Sequence, residues 1–390
     1  QILKGDQQIY MQTSALVFQD TTASFSFEPK IHAELSEYFF TLFLDTQKVA
    51  EADSVVCGDV FLINGQSNAL SIDYEDKAHF QSEWFRSFGN SSQVAADCRN
   101  DLQWGLAQGN SHFAHAAVGV WGLRLGKLII ENNNVPICIL NGATGGSYIA
   151  DHLRKDSSPT DLNTNYGRLL YRAKKAKIQQ SVKAIFWNQG EMNTDNTYAQ
   201  YADQFSQLYQ DWKSDYPELE KIFIFQIRPC QGERSNILLR EIQREIAEQY
   251  PDVEIMSTAG ICGHDGLHYN YEGYNQMALW IYRLAAKYFY NSSDTLFIAP
   301  PKIKSAEIID GEIPKIKLSF DQTVIWPADT LGAKMKDNFF LVGDNVTKID
   351  SGYAADNTIF LLLSSGTSAT GVSYVPNKYY SGTHTIYEGP

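Results

Sequence analysis

The sequence predicts an α/β fold, a parallel sheet with helices on both faces, carrying extra β-strands at both ends. Two observations carry this. Between about Cys57 and Tyr290, short apolar runs alternate with helical stretches, and outside that zone the pattern is strand-like. The apolar runs are Val60–Ile63, Pro136–Leu140, Ala184–Trp187, Ile222–Phe225 and Val253–Met256. They lack polar alternation, as strands covered on both faces should. Between them, helices are expected from Ser111 (as N-cap) to about Glu131, then over Tyr166–Gln180, Thr197–Tyr216, Ser235–Tyr250 and Tyr271–Tyr290.

The ends read differently. Ala23-Ser24-Phe25-Ser26-Phe27 alternates strictly, and Tyr38–Leu44 is an aromatic run without helical period. After Pro300-Pro301 come Lys315–Phe320, Phe339–Val342 and Ile359–Leu363, separated by Gly, Asp and Asn. The expected division is therefore 1–56 as N-terminal β-strands, 57–292 as the α/β unit and 293–390 as a β-sandwich region, with the two ends packing together as one accessory sandwich.

Composition narrows the function. The 390 residues carry 32 Lys plus Arg against 45 Asp plus Glu, a net charge of −13, and 44% are hydrophobic. That excludes a disordered chain and argues against a nucleic-acid binder, whose affinity rests on cations neutralising phosphate. No run approaches the roughly 18 apolar residues of a membrane span, so no membrane insertion is expected. The five cysteines, at 57, 98, 138, 230 and 262, show no metal-binding spacing and read as free thiols, with a Cys230–Cys262 bridge as the alternative. Gln1 is no initiator; either a leader was removed, implying a secreted or periplasmic protein, or the chain was trimmed.

Ligands of open parallel sheets bind beyond the carboxyl ends of the strands. Four post-strand segments there carry reactive polar residues: Asn64-Gly65-Gln66-Ser67-Asn68, Asn141-Gly142-Ala143-Thr144-Gly145-Gly146-Ser147, Trp187-Asn188-Gln189-Gly190-Glu191 and His264-Asp265-Gly266-Leu267-His268. Each has a plainer reading alone: an N-capping serine, a glycine turn, a surface glutamate, a solvated turn. Together they bring a serine on a sharp strand-to-helix turn to the same sheet edge as an Asp-x-x-His, where a carboxylate can orient an imidazole as base. Among the other histidines, His112 and His115 lack the carboxylate of a zinc helix, and His152 is a rival base.

In this order, Gly65-Gln66-Ser67-Asn68, Gly145-Gly146-Ser147, Gln189-Gly190-Glu191 and Asp265-x-x-His268 resemble the SGNH hydrolase superfamily, and within it the sialate O-acetylesterase and plant-type carbohydrate esterase branch. Cys57-Gly58-Asp59-Val60-Phe61 resembles the Gly-Asp-Val-Trp entry of sialate esterases. The resemblance implies a three-layer, flavodoxin-like sheet and a serine esterase that removes O-acetyl groups from glycans through an acetyl-enzyme, without metal or cofactor. It makes Ser67 the nucleophile, His268 the base and Asp265 its orienting carboxylate. The backbone N–H groups of Ser67 and Gly146 and the Gln189 side chain would form the oxyanion hole, with Gln66, Asn68 and Glu191 supporting them. The superfamily's third block is named for an asparagine, and the matching position here is Gln189 rather than Asn188.

Within the same chemistry, an acetylxylan esterase or another SGNH acyl-ester hydrolase is the alternative. A non-catalytic carbohydrate-binding protein on this scaffold is a reading from another class, and the intact Ser67, Asp265 and His268 argue against it. A lipid or thioester substrate would need an apolar groove, whereas Asn68, Asp73, Tyr74, Asn193 and Asp195 suggest a polar rim.

Overall fold

The computed structural model describes residues 1–109, 114–229, 234–329 and 334–374. At its centre lies a seven-stranded sheet: β1 (Asp59–Gly65), β2 (Phe85–Phe88), β3 (Trp104–Leu106), β4 (Ile137–Asn141), β5 (Val182–Asn188), β6 (Lys221–Gln226) and β7 (Val253–Ser257), in the spatial order β7-β6-β5-β1-β4-β2-β3. Every pairing is parallel except β2 with β3 at the edge. The helices are α1 (Ser67–Leu70), α2 (Ala95–Asn100), α3 (Val120–Asn133), α4 (Asn165–Lys175), α5 (Tyr201–Asp215), α6 (Arg234–Gln249) and α7 (Tyr271–Phe289).

Strand alternation explains the three layers. On β1, Phe61 and Ile63 face one side and pack with Trp121, Leu125 and Ile129 of α3 and Met277, Ile281 and Leu284 of α7. Val60 and Leu62 face the other and pack with Leu169 and Leu170 of α4, Phe205 and Trp212 of α5 and Leu239 of α6. β1 is fully buried along its length and sits between β4 and β5, so chain order reverses around it. That is the switch point at which ligands bind in such sheets.

The five predicted central strands are present to within one or two residues, as are the helices at 234–249 and 271–289, while the helix expected from Thr197 begins as a 3-10 turn over Asn196–Gln200 and becomes α-helical only at Tyr201. Other elements differ. The predicted N-cap Ser111 lies outside the described residues, and α3 begins only at Val120. Gly119, at φ +81, precedes it, and a Cβ there would lie 2.2 Å from the Leu70 carbonyl oxygen, so the chain turns sharply before the helix can start. The helix expected to reach Gln180 stops at Lys175, just before Lys177 adopts φ +60. Of Ala23–Phe27 only Ala23 is in a strand, Thr22–Ala23, paired to Phe18–Gln19. β2 and β3 are absent from the sequence reading because they are short, four and three residues, and interrupted by Arg86 and Gly105.

The additional strands are antiparallel. Ile2–Lys4, Gln7–Tyr10, Tyr38–Leu44 and Gln47–Val55 form one sheet. Ile303–Ile309, Lys315–Phe320, Thr358–Leu363 and Ile349–Ala355 form another, beside the pair Phe339–Val342 and Gly371–Tyr374. Among the described residues no strand of one end pairs with a strand of the other. Among the described residues the C-terminal core is drawn from its own segment, with Ile316, Leu318, Phe339 and Leu361. The N-terminal sheet is tied instead to β2, where Arg86 donates to the Ser54 carbonyl (2.6 Å) and pairs with Glu37 (3.2 Å).

Candidate active site

Ser67 is the first residue of α1, immediately past β1. The turn depends on Gly65: its φ is +133, and a Cβ there would lie 2.0 Å from the Asn188 carbonyl oxygen of β5. Only glycine allows the two strands to approach this closely at that angle. Gln66 N–H then donates to the same carbonyl (3.0 Å). The side-chain oxygen of buried Gln66 accepts from the Gly190 and Met192 N–H groups, each at 3.2 Å. The Ser67 turn is thereby bolted to the third block, although the two lie more than 120 residues apart in sequence.

His268, in the loop between β7 and α7, places Nε2 3.0 Å from Ser67 Oγ. This is the contact a general base needs to take the hydroxyl proton. Asp265 is less directly engaged. Its Oδ2 is 3.8 Å from His268 Nδ1, beyond hydrogen-bond range, and its side chain is 67% exposed. Oδ1 accepts from the Leu267 (2.8 Å) and His268 (2.7 Å) N–H groups and so shapes the loop. Burial tends to raise this carboxyl, but those N–H donors and the His268 charge outweigh it and hold it below the usual carboxylate range.

The glycine block follows β4. Gly146 has φ +67, is exposed and has open space on its Cβ side, while a Cβ at Gly145 would touch Leu70 of α1 at 3.7 Å. The block therefore lies against α1 with Gly146 facing outward. Thr144 N–H donates to the Gly65 carbonyl (2.9 Å). The amide of Ser67, in the first turn of α1, has no intrahelical acceptor, as for every first-turn donor.

Gln189 is placed differently from its expected role. Its carboxamide is fully buried, and Nε2 donates to the Asn193 side chain (2.7 Å) and the Ser147 carbonyl (3.1 Å), with Gln66 Oε1 at 3.4 Å. Its two N–H bonds are committed to the scaffold, so it braces the glycine block rather than offering a donor to an oxyanion. Asn188 is buried as well, with Nδ2 near Met277 Sδ.

Asn68 and Glu191 are bound to each other beside the Ser67 turn. Asn68 Nδ2 donates to Glu191 Oε1 (2.7 Å) and to the Leu267 carbonyl (3.1 Å), Tyr274 OH donates to Asn68 Oδ1 (3.2 Å), and Trp121 Nε1 donates to the Asn68 carbonyl (2.9 Å). Burial pushes the Glu191 carboxyl up, against the Asn68 hydrogen bond and the charges of His268 and Arg228.

The rim is less polar than the sequence suggested. Asn68, Asp73 and Asn193 are all buried and hold local structure: Asp73, for example, accepts from the N–H groups of Glu75, Lys77 and Ala78. Tyr74 and Asp195 remain exposed. Arg228 was missed. It lies two residues past β6, is 3% exposed, donates to His264 Nε2 (2.9 Å) and sits over the Tyr269 ring. The post-strand rule that found the other blocks would have found it after Ile222–Phe225.

The other histidines are resolved by their partners. His115 pairs with Asp101 at 2.8 Å, and His112 lies outside the described residues, as does Cys230 and with it the proposed Cys230–Cys262 pairing. Among the described residues no group of His, Cys, Asp or Glu could hold a metal, and no helix is long and apolar enough to cross a membrane. Cys57, Cys98 and Cys138 are free thiols.

His152 is fully buried, 2.7 Å from Ser147 Oγ, which itself donates to the Thr144 carbonyl (2.7 Å). Its Nε2–H thus donates to Ser147, and it serves the glycine block rather than Ser67. Burial first, and then the Arg168 charge, pushes its pKa down to about 3. In the unfolded chain the imidazole takes a proton as pH falls through ~6.5, whereas the folded one stays neutral until about 3, so stability is lost across that window. At pH 5 this one group is expected to cost about 2 kcal/mol. His264, lowered to about 4 by burial and Arg228, acts in the same direction. Urea unfolding at pH 7 and pH 5 should show the loss, and His152→Phe should reduce the slope; equal stability at both pH values would refute it.

Residues 57–289 match the family described as "Carbohydrate esterase, sialic acid-specific acetylesterase". No curated protein matches the chain. Among solved structures, a novel carbohydrate acetylesterase from Xanthomonas citri is 20% identical with a TM-score of 0.65, over 86% of this chain and 79% of that one. A protein from Arabidopsis thaliana is 19% identical with a TM-score of 0.47, over 60% and 99%. An acetyl xylan esterase from Geobacillus stearothermophilus is 14% identical with a TM-score of 0.35, over 60% and 95%. With the family match covering the whole central sheet and all four blocks, this chain belongs to the sialic acid-specific acetylesterase family of carbohydrate esterases.

Proposed function

We propose that the protein removes O-acetyl groups from sialic acids by a two-step serine mechanism. The observation that carries the mechanism is the 3.0 Å contact between Ser67 Oγ and His268 Nε2 at the switch point of the sheet. His268 takes the Ser67 proton as Oγ attacks the acetyl carbonyl carbon. The tetrahedral oxyanion is held by the backbone N–H groups of Ser67 and Gly146, which the first turn of α1 and the outward-facing glycine leave available. His268 returns the proton to the departing sugar hydroxyl. Water, deprotonated by the same imidazole, then attacks the acetyl-enzyme, and acetate leaves with Ser67 Oγ protonated again. With Gln189 committed to the scaffold, two backbone donors do this work.

The choice of sugar rests on the family's description, and the exposed Tyr74 and Asp195 supply polar groups for a sugar. Mass spectrometry of acetate release tests it, across O-acetylated sialosides, acetylated xylo-oligosaccharides and long-chain acyl esters, with Ser67→Ala as control. Acetate from the sialosides at the highest kcat/KM is expected. A preference for xylo-oligosaccharides would overturn the choice of sugar, and a preference for long-chain esters would overturn the carbohydrate reading.

A further inference from the structure

The turn that carries Asp265 and His268 is the tip of a small hairpin. Asp265 N–H donates to the His268 carbonyl (3.0 Å), His264 and Tyr269 form an antiparallel bridge behind them, and Asn270 N–H donates to the Gly263 carbonyl (2.8 Å). From the tip His268 reaches Ser67 at 3.0 Å, and Asp265 Oδ2 lies 3.8 Å from His268 Nδ1, so both relations depend on where the hairpin sits. Arg228 touches both of its legs. Nη2 donates to His264 Nε2 (2.9 Å), and the guanidinium carbon lies 5.8 Å from the centre of the Tyr269 ring. The two rings meet edge to face, with centroids 6.2 Å apart. The grip starts from a fixed point, because Arg228 follows Ile227, whose N–H donates to Gln243 Oε1 of α6 (3.0 Å) and whose side chain lies against Gly190. The cation is costly where it stands. Arg228 is buried, and its Nη1 has no hydrogen-bond partner. A buried charge left partly unsatisfied lowers stability, and an apolar side chain would fill the space more cheaply. What the guanidinium supplies is direction: it only donates, so His264 must accept and must be neutral. Burial first, and the Arg228 charge second, lower that imidazole to about 4 and keep it so.

We propose that Arg228 is a positioning residue for the base: by holding His264 and Tyr269 it fixes the hairpin that presents His268 to Ser67 and Asp265 to His268. Asp265 keeps its place as the carboxylate that orients the imidazole, and Arg228 acts one step behind it, on the legs rather than the tip. This rests on the serine-esterase reading above.

The test measures kcat and KM with an acetyl ester in the full chain for Arg228→Met, His264→Phe, the two combined, and His264→Gln, each corrected for its folded fraction by urea unfolding. Arg228→Met and His264→Phe both lose the 2.9 Å bond. Each is expected to lower kcat ~10- to 100-fold, the scale of a misplaced base, with KM changed by less than about twofold. Because both remove one and the same bond, the double variant should be no slower than the slower single one. His264→Gln keeps an acceptor for the guanidinium and should recover most of kcat. Wild-type kcat in either single variant, losses that multiply in the double variant, equal losses in His264→Gln and His264→Phe, or a change confined to KM would overturn the proposal. If Arg228→Met does not fold, the two variants of the half-buried His264 decide on the same terms. Ser67→Ala separates the underlying reading: turnover surviving there would sink the serine mechanism, whereas an inactive Ser67→Ala beside a His264→Phe enzyme at full rate would sink only the role of Arg228.

Discussion

Ser67→Ala lowers kcat by a factor on the order of 10⁵ to 10⁶ while the protein stays folded. The loss is this large because the other serine of the described site is not placed to take the covalent role. His268 Nε2 is aimed at Ser67 Oγ, while Ser147, the serine of the glycine block, is buried with its hydroxyl given to the Thr144 carbonyl and paired with His152. The fold is spared because Oγ contributes no N-cap bond: the cap residue is Gln66, and the turn is held by backbone bonds to its carbonyl from Ala69 and Leu70. Stability should therefore stay within about 0.5 kcal/mol of the wild type. Acetate release checks the first part and urea unfolding the second. Retained turnover would mean that the nucleophile lies elsewhere.

Gly65→Ala should destabilise the protein by about 3–5 kcal/mol and disable whatever remains folded. Two costs coincide at this residue. Its φ of +133 is strained for any residue with a Cβ, and the added carbon would sit 2.0 Å from Asn188 O and 2.6 Å from its carbonyl carbon. Neither is the flexible end of a side chain. Both are backbone of β5, paired with β1 in the middle of the sheet, and cannot withdraw without breaking the ladder. The damage falls where function is assembled: Gly65 O accepts from Thr144 N–H, ahead of Gly146, and Asn188 O accepts from Gln66 N–H, next to the nucleophile. Urea unfolding with activity measured on the folded fraction would show both effects. Gly146→Ala is an informative contrast, since no atom lies within 4 Å of its added carbon and only the conformational cost at φ +67 remains. Equal stability of Gly65→Ala and the wild type would mean that β1 and β5 do not approach as described.

The blocks of the site were legible in the sequence because they are local. A buried parallel strand announces itself as an apolar run such as Ile222–Phe225, and the segment beyond its carboxyl end is where a ligand can reach. Ser67 and His268 could be named from that rule and from family resemblance, and the fold brings them to 3.0 Å across 201 residues of chain. The terminal strands were legible for the same reason, as at Lys315–Phe320, whose limits agree with the prediction. Very short strands were not: Phe85–Phe88 and Trp104–Leu106 owe their structure to pairing with neighbours rather than to any pattern of their own.

What the sequence by itself determined is the chemical inventory and its order: an α/β core, a serine after the first central strand, glycines after the next, and an Asp-x-x-His before the last helix. Only the tertiary structure decided how each polar side chain is used. Gln189, an oxyanion donor by resemblance, spends its amide on Ser147 and Asn193. Asp265 holds its own loop, and Glu191, equally readable as a surface charge, is buried against the Asn68 side chain. The reason is that a hydrogen bond is settled by distances of a few tenths of an ångström between atoms on different strands. Those distances follow from strand order and close approaches such as Gly65 against Asn188, which no local pattern encodes.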